Sequence, residues 1–443
     1  MAHVALRLSK KRLPPAQANV QELMIRHLPA RSYVVLEAAG RLADEMGIPA
    51  FVVGGIVRDL LLGVGTFDLD LVVEGDGIAF ARAFARDTGG QVTAHDRFGT
   101  ATVALEEGPR VDIATARKES YEQPAALPLV VPAAIQDDLL RRDFTINALA
   151  VRLNAQRFGE MVDPCNGQGA IAAQRIRVLH NRSFLDDPTR MFRAIRFEQR
   201  LGFRMDRPTL ACLRDAIATG VIERLSGHRL SEELKRMFSE RHPRRVIARM
   251  AELGVLCAIH SKLAWSPKLE RLLKGIESMV AWHKRNVPKQ RLKVWSLYAM
   301  TLLEGLPSKS VADILKRLAL PKHEAEAIRT GPAHARAVLR RLAKRPAPKP
   351  SDIYRALAGF VEEAVVFLLA SAKSESVKRL IRAYLTTYRH VTPSLTGASL
   401  KSLGLKPGPQ FKTILGRLLD ARLDGDVKNE AGERELLKKL ARA

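Results

Sequence analysis

The sequence predicts an α+β multidomain protein: a compact α/β head with a mixed sheet, followed by a long, basic and wholly helical trunk. Two observations lead to this prediction. Between residues 50 and 115, short β-rich runs alternate with helical segments, as in an α/β domain. From residue 183 onward, apolar residues recur at helical spacing, and alanine, leucine and arginine dominate. With 443 residues the chain is long enough for about three domains.

Each element of the head is predicted from its apolar period and its flanking glycines. Helices are predicted over residues 33–46, 57–62 and 76–88, because each periodic segment is followed by a glycine, which ends helices readily. Alternating or continuous apolar runs predict strands over residues 50–53, 67–73, 100–105 and 110–115.

The trunk elements are predicted in the same way. Helical spacing predicts helices over residues 188–201, 207–218, 229–238 and 243–253. Residues 345–351 contain three prolines, which disfavour helix, and are predicted to be a linker. Residues 116–139 also contain three prolines and are predicted to form a flexible loop.

Charge is the first indication of function. Lysine and arginine number 72 against 47 aspartates and glutamates, which gives a formal net charge of +25. A charge of this size attracts polyanions over a long range, so we expect a nucleic acid partner. Aromatic residues make up only 5% of the chain, which argues against a single-strand binding surface built on base stacking.

The sequence also excludes several classes of protein. No stretch approaches the roughly 20 apolar residues that a membrane span requires, so no membrane association is expected. The N-terminal residues lack the continuous apolar segment of a secretory signal. Three widely spaced cysteines provide neither a disulfide framework nor a zinc signature, so a reducing, cytoplasmic location is expected. None of these features predicts an oligomeric state.

Gly54 and Gly55 lie between a predicted strand and a predicted helix. At such a turn the backbone can approach a ligand closely, and amide N–H groups can face phosphate oxygens. Arg58 follows one helical turn later and can neutralise the same charge. A diglycine on its own is usually only a turn, and this one becomes informative through the aspartates that follow it.

Asp68 and Asp70 are separated by one residue on a predicted strand. Side chains two residues apart on a strand point to the same face, with Cα atoms about 6.5–7 Å apart. Their like charges repel, and Mg²⁺, which prefers carboxylate oxygens, would relieve the repulsion. Two such ions can activate an attacking hydroxyl and stabilise a departing phosphate. Asp112, on another predicted strand, is either a third carboxylate of this site or an ordinary exposed acid.

The run Gly-Gly-x-Val-Arg-Asp, followed by the Asp-x-Asp pair, resembles motif A of the class II tRNA nucleotidyltransferase (CCA-adding enzyme) and bacterial poly(A) polymerase family. Residues 141–148, Arg-Arg-Asp-Phe-Thr-Ile-Asn-Ala, match motif B of that family. The resemblance implies a polymerase β-like nucleotidyltransferase head. It also implies that Arg142 meets the triphosphate and that Asp143 and Asn147 select the ribose.

Residues 185–190, Leu-Asp-Asp-Pro-Thr-Arg, resemble the nucleotide-selecting motif of the family, which is usually Glu-Asp-x-x-Arg. Asp187 and Arg190 are three residues apart and so share one helix face. A carboxylate accepts from the amino group of cytosine or adenine, and a guanidinium donates to ring acceptors on the same edge, which rejects uracil and guanine. We expect Asp186 to cap the helix and Asp187 to read the base.

Two later motifs depart from the family pattern. Motif C usually has Asp-Leu where this chain has Ala170-Ile171, and motif E usually begins Glu-Arg-Ile where this chain has His228-Arg229-Leu230. Both motifs are structural or hinge-like in the family. The departures therefore concern how the site reorients between additions, not phosphoryl transfer itself.

The resemblance covers about residues 28–250, and beyond them the division of the chain is based on helical character and length alone. Four parts are predicted in all. They are a nucleotidyltransferase head (28–178), a helical neck with the nucleotide-selecting helix (179–265), a helical body (266–345) and a basic helical tail (352–443). The trunk helices would hold the tRNA acceptor arm through phosphate contacts, without reading sequence. Arg193 and Arg196 continue a basic stripe on the nucleotide-selecting helix and are candidate RNA contacts.

The resemblance implies template-independent, Mg²⁺-dependent transfer of CMP and AMP from CTP and ATP to the 3′ end of tRNA, with CCA as the product. Alternatives within the family are addition of A alone, addition of CC alone, and poly(A) synthesis. A catalytically silent RNA-binding protein on the same scaffold would instead bind RNA without nucleotide turnover. The intact Asp68, Asp70, Asp143 and Arg190 favour an enzyme.

Overall fold

The computed structural model describes residues 19–65, 68–96, 99–402 and 408–442. The chain divides into two compact units, one that ends at Leu225 and one that begins at Ser226. All strands in the described part belong to the first unit. They are β1 (Ala50–Val53), β2 (Leu69–Val73), β3 (Gln91–His95), β4 (Thr100–Ala104), β5 (Arg110–Thr115), β6 (Arg117–Ser120), β7 (Leu129–Pro132), β8 (Ala150–Arg152), β9 (Met161–Val162), β10 (Arg175–Ile176) and β11 (Arg204–Met205).

A mixed seven-stranded sheet lies at the centre of the first unit, in the order β3-β4-β5-β2-β1-β8-β9. β2 and β5 run parallel, with Asp70 opposite Asp112, whereas the other neighbours in this sheet are antiparallel. Two further two-stranded sheets are an antiparallel β6–β7 hairpin and a parallel β10–β11 pair. The predicted head with a mixed sheet is therefore confirmed.

Helices cover the sheet unevenly, and this leaves one face open beside β2. The helices of the first unit are α1 (Gln21–His27), α2 (Ala30–Glu45), α3 (Gly55–Leu62), α4 (Gly77–Thr88), α5 (Ile135–Leu140), α6 (Gly167–Ala172), α7 (Ser183–Asp186), α8 (Thr189–Leu201) and α9 (Arg207–Ala218). α4 contacts β2, β3, β4 and β5, where the alternation of β5 buries Val111 and Ile113. Asp112 consequently points to the opposite face.

α5 packs on that opposite face, but only at one end of β2. Its Ile135 and Leu139 join a core cluster with Phe51, Val53 and Val72. Val72 is two residues after Asp70 on the same side of the strand. Because Val72 is held in this core cluster, the direction of the Asp70 side chain at the other end of β2 is fixed as well.

The described part of the second unit contains helices and no strands, as predicted for the trunk. Its helices are α10 (Gly227–Phe238), α11 (Pro243–Glu252), α12 (Val255–Ile259), α13 (Pro267–Asn286), α14 (Val294–Leu303), α15 (Ser308–Arg317), α16 (Lys322–Leu342), α17 (Pro350–Leu357), α18 (Glu362–Ser371), α19 (Glu375–Thr386), α20 (Gly397–Ser402), α21 (Pro409–Asp424) and α22 (Glu430–Arg442). The four-part division into head, neck, body and tail stays a prediction.

Two local predictions need correction. Residues 116–139 are not a loop, since they form the β6–β7 hairpin and most of α5. The prolines allow this because Pro132 lies at the end of an edge strand, where no ladder donor is needed. Helix α17 begins at Pro350, inside the predicted linker, because proline is well tolerated in a first helical turn. β2 begins at Leu69, and Phe67, predicted as its first residue, lies outside the described residues.

Candidate active site

The diglycine turn joins β1 to α3 and touches an arginine far away in sequence. Gly54 has φ +76° and ψ −123°, a conformation that side chains other than hydrogen rarely adopt. A Cβ at this position would lie 2.8 Å from Nη1 of Arg142. The Gly54 N–H donates to the Leu149 carbonyl at 2.9 Å, which ties the turn to the sheet. The structure thus brings the predicted phosphate turn and motif B together.

The paired aspartates lie at the acidic end of β2. Asp70 belongs to the strand, Asp68 directly precedes it, and both are exposed. Asp70, Asp112 and Arg142 line one cleft of about 350 Å³. Although its side chain stays in contact with solvent, partial desolvation by the surrounding protein raises the pKa of Asp70. Arg142 opposes this shift, whereas Asp112 and Asp68 add to it. Asp68 and Asp70 are therefore electrostatic neighbours, as their spacing predicts.

Asp112 lies beside Asp70 but already has partners of its own. Its Oδ1 accepts hydrogen bonds from Thr102 Oγ1 at 2.6 Å and from Arg110 Nη2 at 3.0 Å. The ion pair with Arg110 is exposed, so it offsets the charge of Asp112 only weakly. The structure therefore places Asp112 beside Asp70, where the Asp112 carboxylate is bound by Thr102 and Arg110.

The aspartate pair suits a divalent cation by its chemistry. Two neighbouring carboxylates, with a third in register, concentrate negative charge that Arg142 offsets only in part. In the ranges that the structure describes, no group of three or more His, Cys, Asp or Glu side chains is arranged to hold a metal ion. A divalent cation at this site would therefore have Asp68 and Asp70 as its protein ligands, and substrate and water would supply its other ligands.

Motif B is organised by a buried carboxylate that precedes it. Asp138 of α5 is 0% exposed. Its Oδ1 accepts from Arg141 Nη2 at 2.6 Å, and its Oδ2 accepts from Arg142 Nη2 at 2.8 Å. Burial opposes the ionisation of Asp138, but the two guanidinium groups outweigh it and hold its pKa below the ordinary value. Arg142 is thus fixed between Asp138 and the Gly54 turn.

The two residues expected to select the ribose lie together and are buried. Asn147 Nδ2 donates to Asp143 Oδ1 at 2.9 Å, and Asn147 Oδ1 accepts from Arg58 Nη1 at 2.6 Å. Arg58 is 4% exposed and also pairs with Asp59 at 2.8 Å. Arg58, predicted to meet phosphate, therefore faces Asn147 in this structure and does not line the cleft.

Arg193 completes this buried network. Its Nε and Nη2 donate to Asp143 Oδ2 at 2.7 and 2.5 Å. Burial opposes the ionisation of Asp143, but Arg193 and the Asn147 amide hold its pKa below the ordinary value. The guanidinium carbons of Arg58, Arg193 and Arg196 lie 5.2, 5.6 and 5.1 Å from the centre of the Phe197 ring. Arg193, a candidate RNA contact, binds the Asp143 carboxylate in this structure, and its role toward RNA stays a prediction.

The expected division of labour between Asp186 and Asp187 is wrong about the cap. Asp187 Oδ1 accepts from the Thr189 N–H at 2.9 Å and from Thr189 Oγ1 at 2.5 Å, so Asp187 caps α8. Pro188 occupies the turn between them, and a carboxylate two residues before an amide can reach it directly. Asp186 faces Arg182 at 3.6 Å instead.

Arg190 is held rigidly. It is 5% exposed, and its Nη1 donates to Ser183 Oγ at 2.7 Å while Nη2 donates to the Arg141 carbonyl at 2.7 Å. Tyr121 lies within electrostatic reach of both Arg190 and Asp187. Burial, together with Glu119, raises the pKa of Tyr121 to about 12, so its hydroxyl stays a donor, here to Glu119 Oε2 at 3.0 Å. Arg190 is thus anchored to motif B through the Arg141 carbonyl.

Comparison with known proteins shows the family of the chain. The Poly A polymerase head domain matches residues 50–177, and the region described as a probable RNA and SrmB-binding site of polymerase A matches residues 202–265. The A-adding tRNA nucleotidyltransferase of Halalkalibacterium halodurans is 32% identical over 93% of this chain and 93% of its own length. The chain belongs to the tRNA nucleotidyltransferase family.

Two further tRNA nucleotidyltransferases extend the comparison. The A-adding tRNA nucleotidyltransferase of Geobacter sulfurreducens is 39% identical over 98% of this chain, which spans only 50% of that relative's length. The solved structure of the Thermotoga maritima CCA-adding enzyme complexed with tRNA_CCA is 32% identical, covers 97% of this chain and 99% of that one, and has a TM-score of 0.75. The fold of the chain is therefore that of the family along almost its whole length.

The match places the site within the family architecture. The head match contains the diglycine turn, the aspartates and motif B, whereas α8 with Arg190 begins after that match ends. Nucleotidyltransferases of this kind are generally metal-dependent. No helix in the described ranges is long and apolar enough to cross a membrane.

Two carboxylates of this tRNA nucleotidyltransferase were not predicted from the sequence. Asp138 precedes Arg141 and Arg142 by three and four residues, a spacing at which acid–base pairs meet on a helix, and this signal could have identified it. Glu119 accepts from Arg117 Nη2 at 3.0 Å and from Arg141 Nη1 at 2.9 Å. Its partner Arg141 comes from a different element, so no local spacing indicates that contact.

Proposed function

We propose that this chain transfers CMP and AMP from CTP and ATP to the 3′ end of tRNA and produces the CCA terminus. One observation carries the proposal: Asp70, next to Asp68, shares a cleft with Arg142, which lies against the Gly54 turn. The same cleft thus offers carboxylates for cations and a guanidinium for the phosphates of a nucleoside triphosphate. Family membership gives this arrangement its chemical meaning.

The reaction is an in-line displacement that the protein assists by positioning and charge. The amides of Gly54 and Gly55, with Arg142, hold the triphosphate so that its α-phosphorus faces the RNA 3′-hydroxyl. That hydroxyl attacks, and pyrophosphate departs. Asp68 and Asp70 would hold Mg²⁺, which neutralises the phosphate charge and lowers the pKa of the attacking hydroxyl. Asp112 supports the pair from the neighbouring strand.

Specificity comes from two groups of residues. Asp143 and Asn147 form the ribose side of the site, and Arg58 and Arg193 hold them in place. We assign base recognition to Arg190 together with Asp187, because a carboxylate and a guanidinium match the edges of cytosine and adenine. Because Arg190 is fixed by two hydrogen bonds, its donors are oriented before a base arrives.

The tRNA partner is supported by charge and by the relatives. A net charge of +25 favours phosphate contacts that hold an RNA without reading its sequence. The relatives are named as tRNA enzymes, and one was solved with tRNA. The cysteines, Cys165, Cys212 and Cys257, are all free thiols, in keeping with the cytoplasmic location that we propose.

A second candidate product is the terminal A alone. The Geobacter and Halalkalibacterium relatives, 39% and 32% identical, are both named A-adding enzymes. Such an enzyme would use ATP on tRNA that already ends in CC. Both candidates use the same cleft and the same aspartates, so the choice depends on substrate tests.

The experiment offers labelled CTP or ATP to the purified protein with three RNAs: tRNA lacking CCA, tRNA lacking only the final A, and an unstructured oligomer. CCA synthesis predicts extension of the first two to full length when both nucleotides are present. A-addition predicts extension of the second RNA alone, and CC-addition predicts a stop after two residues on the first. Long tails on the oligomer would show a poly(A) polymerase, and binding without extension would overturn the proposal.

A further inference from the structure

We propose that Asp138 is the positioning residue that aims Arg142 at the triphosphate. The proposal deepens the proposed function and rests on it. Asp138 is on α5, outside the cleft, and does not itself touch the nucleotide. It acts through the two arginines that its carboxylate holds.

The two carboxylate oxygens of Asp138 accept hydrogen bonds from two different arginine side chains. Oδ1 takes the Nε and Nη2 groups of Arg141 at 3.0 and 2.6 Å, and Oδ2 takes the same groups of Arg142 at 3.2 and 2.8 Å. Each arginine therefore uses one edge of its planar guanidinium on the carboxylate. The remaining nitrogen of Arg142, Nη1, points to the Gly54 turn.

The net charge of the cluster around Asp138 favours the binding of a polyphosphate. Three cations (Arg117, Arg141 and Arg142) share two buried anions (Asp138 and Glu119). Arg117 and Arg141 both reach Glu119. One net positive charge remains in the cluster, and Arg142 is the member that reaches both the Gly54 turn and the cleft of Asp70.

The alternative, that Asp138 only stabilises the fold, predicts a different outcome. Without its partner carboxylate, Arg142 would sample several rotamers and would have to be ordered on each binding event. That weakens nucleotide binding in every folded molecule. A purely structural lesion would instead lower the fraction of active molecules and leave the remaining molecules with normal affinity.

The test compares Asp138→Asn with Asp137→Asn, which removes the same charge one residue earlier on α5. Asp138→Asn is expected to raise KM for ATP by about tenfold with a smaller change in kcat, whereas Asp137→Asn leaves KM unchanged. Equilibrium dialysis with labelled ATP should show the same loss of affinity without RNA and without turnover. A normal KM and normal ATP affinity in folded Asp138→Asn would overturn the inference.

Two additional variants separate this inference from its alternatives. Arg142→Lys keeps the charge but cannot place two donors on Oδ2, so it should reproduce the raised KM even if Asp138→Asn fails to fold. Adding Asp138→Asn to Arg142→Ala should cause no further rise in KM, and a further rise of similar size would refute action through Arg142. If the wild-type protein fails to extend any RNA, the proposed function fails; if only the variants behave normally, this inference alone fails.

Discussion

Arg193 binds the buried carboxylate of Asp143 through two nitrogens, at 2.7 and 2.5 Å. The contact joins α8 to motif B, so the residues that we propose for ribose and base recognition belong to parts of the chain that are connected by a direct side-chain contact. Asp143 is 7% exposed, and this burial makes its charge dependent on the arginine.

Arg193→Ala is therefore expected to destabilise the protein by about 2–4 kcal/mol at pH 7, because it leaves a buried carboxylate without its cation. The pKa of Asp143 is lowered in the folded state, so this stability is present above its ordinary pKa and is lost as pH falls through the folded value. Urea denaturation at several pH values measures this. Arg200→Ala, exposed on the same helix, is the control; equal effects of the two variants would contradict the account.

Gly54→Ala is expected to weaken nucleotide binding more than it weakens the fold. A Cβ there would meet Nη1 of Arg142 at 2.8 Å and would force that arginine away from the cleft. Gly63→Ala is a matched control, since Gly63 also has positive φ (+68°) but its nearest neighbour, the His27 ring, lies 3.6 Å away. Gly63→Ala, in the left-handed helical region, should lose about 1–2 kcal/mol of stability and Gly54→Ala at least as much, but only Gly54→Ala should raise KM for ATP. A raised KM in both variants would show that backbone strain alone is responsible.

Asp187→Ala is expected to have two separable effects, because Asp187 caps α8 and is the carboxylate that we propose to read the base. Loss of the cap should cost about 0.5–2 kcal/mol, and loss of the base acceptor should raise misincorporation of UMP or GMP about tenfold or more. Thr189→Val removes one capping bond only and should leave nucleotide choice unchanged. Thermal melts and incorporation assays with single nucleotides measure both effects. Unchanged fidelity in Asp187→Ala would remove Asp187 from base selection.

Asp70 makes stability depend on pH in the opposite direction from Asp143. Because its pKa is raised above the ordinary 3.8, the metal-free protein should lose stability as pH rises through the folded value of that pKa. Asp70→Asn should then melt at a higher temperature than wild type at pH 7 without divalent cations. Added Mg²⁺ should stabilise the wild type and not the variant. A lower melting temperature for metal-free Asp70→Asn would contradict the proposed charge crowding.

In the head, the elements that are predicted correctly from the sequence are those whose apolar period and flanking residues indicate the same structure. β1, β5 and α9 have the expected bounds, and Asp68 and Asp70 are electrostatic neighbours as expected, although Asp68 precedes the first residue of β2. What could not be predicted depends on contacts between distant elements. Arg58 points to Asn147, and Arg193 to Asp143, because partners 89 and 50 residues away supply the acceptors. A basic stripe on a helix looks the same in sequence whether it faces RNA or a buried carboxylate.

Asp68→Asn and Asp70→Asn test the central claim most directly in a single-turnover assay, with tRNA lacking its final A, labelled ATP and Mg²⁺. If these two carboxylates form the catalytic pair, each variant loses AMP incorporation by at least about a thousandfold and still retains wild-type affinity for tRNA in a filter-binding assay. Incorporation within about tenfold of wild type in either folded variant would contradict the account.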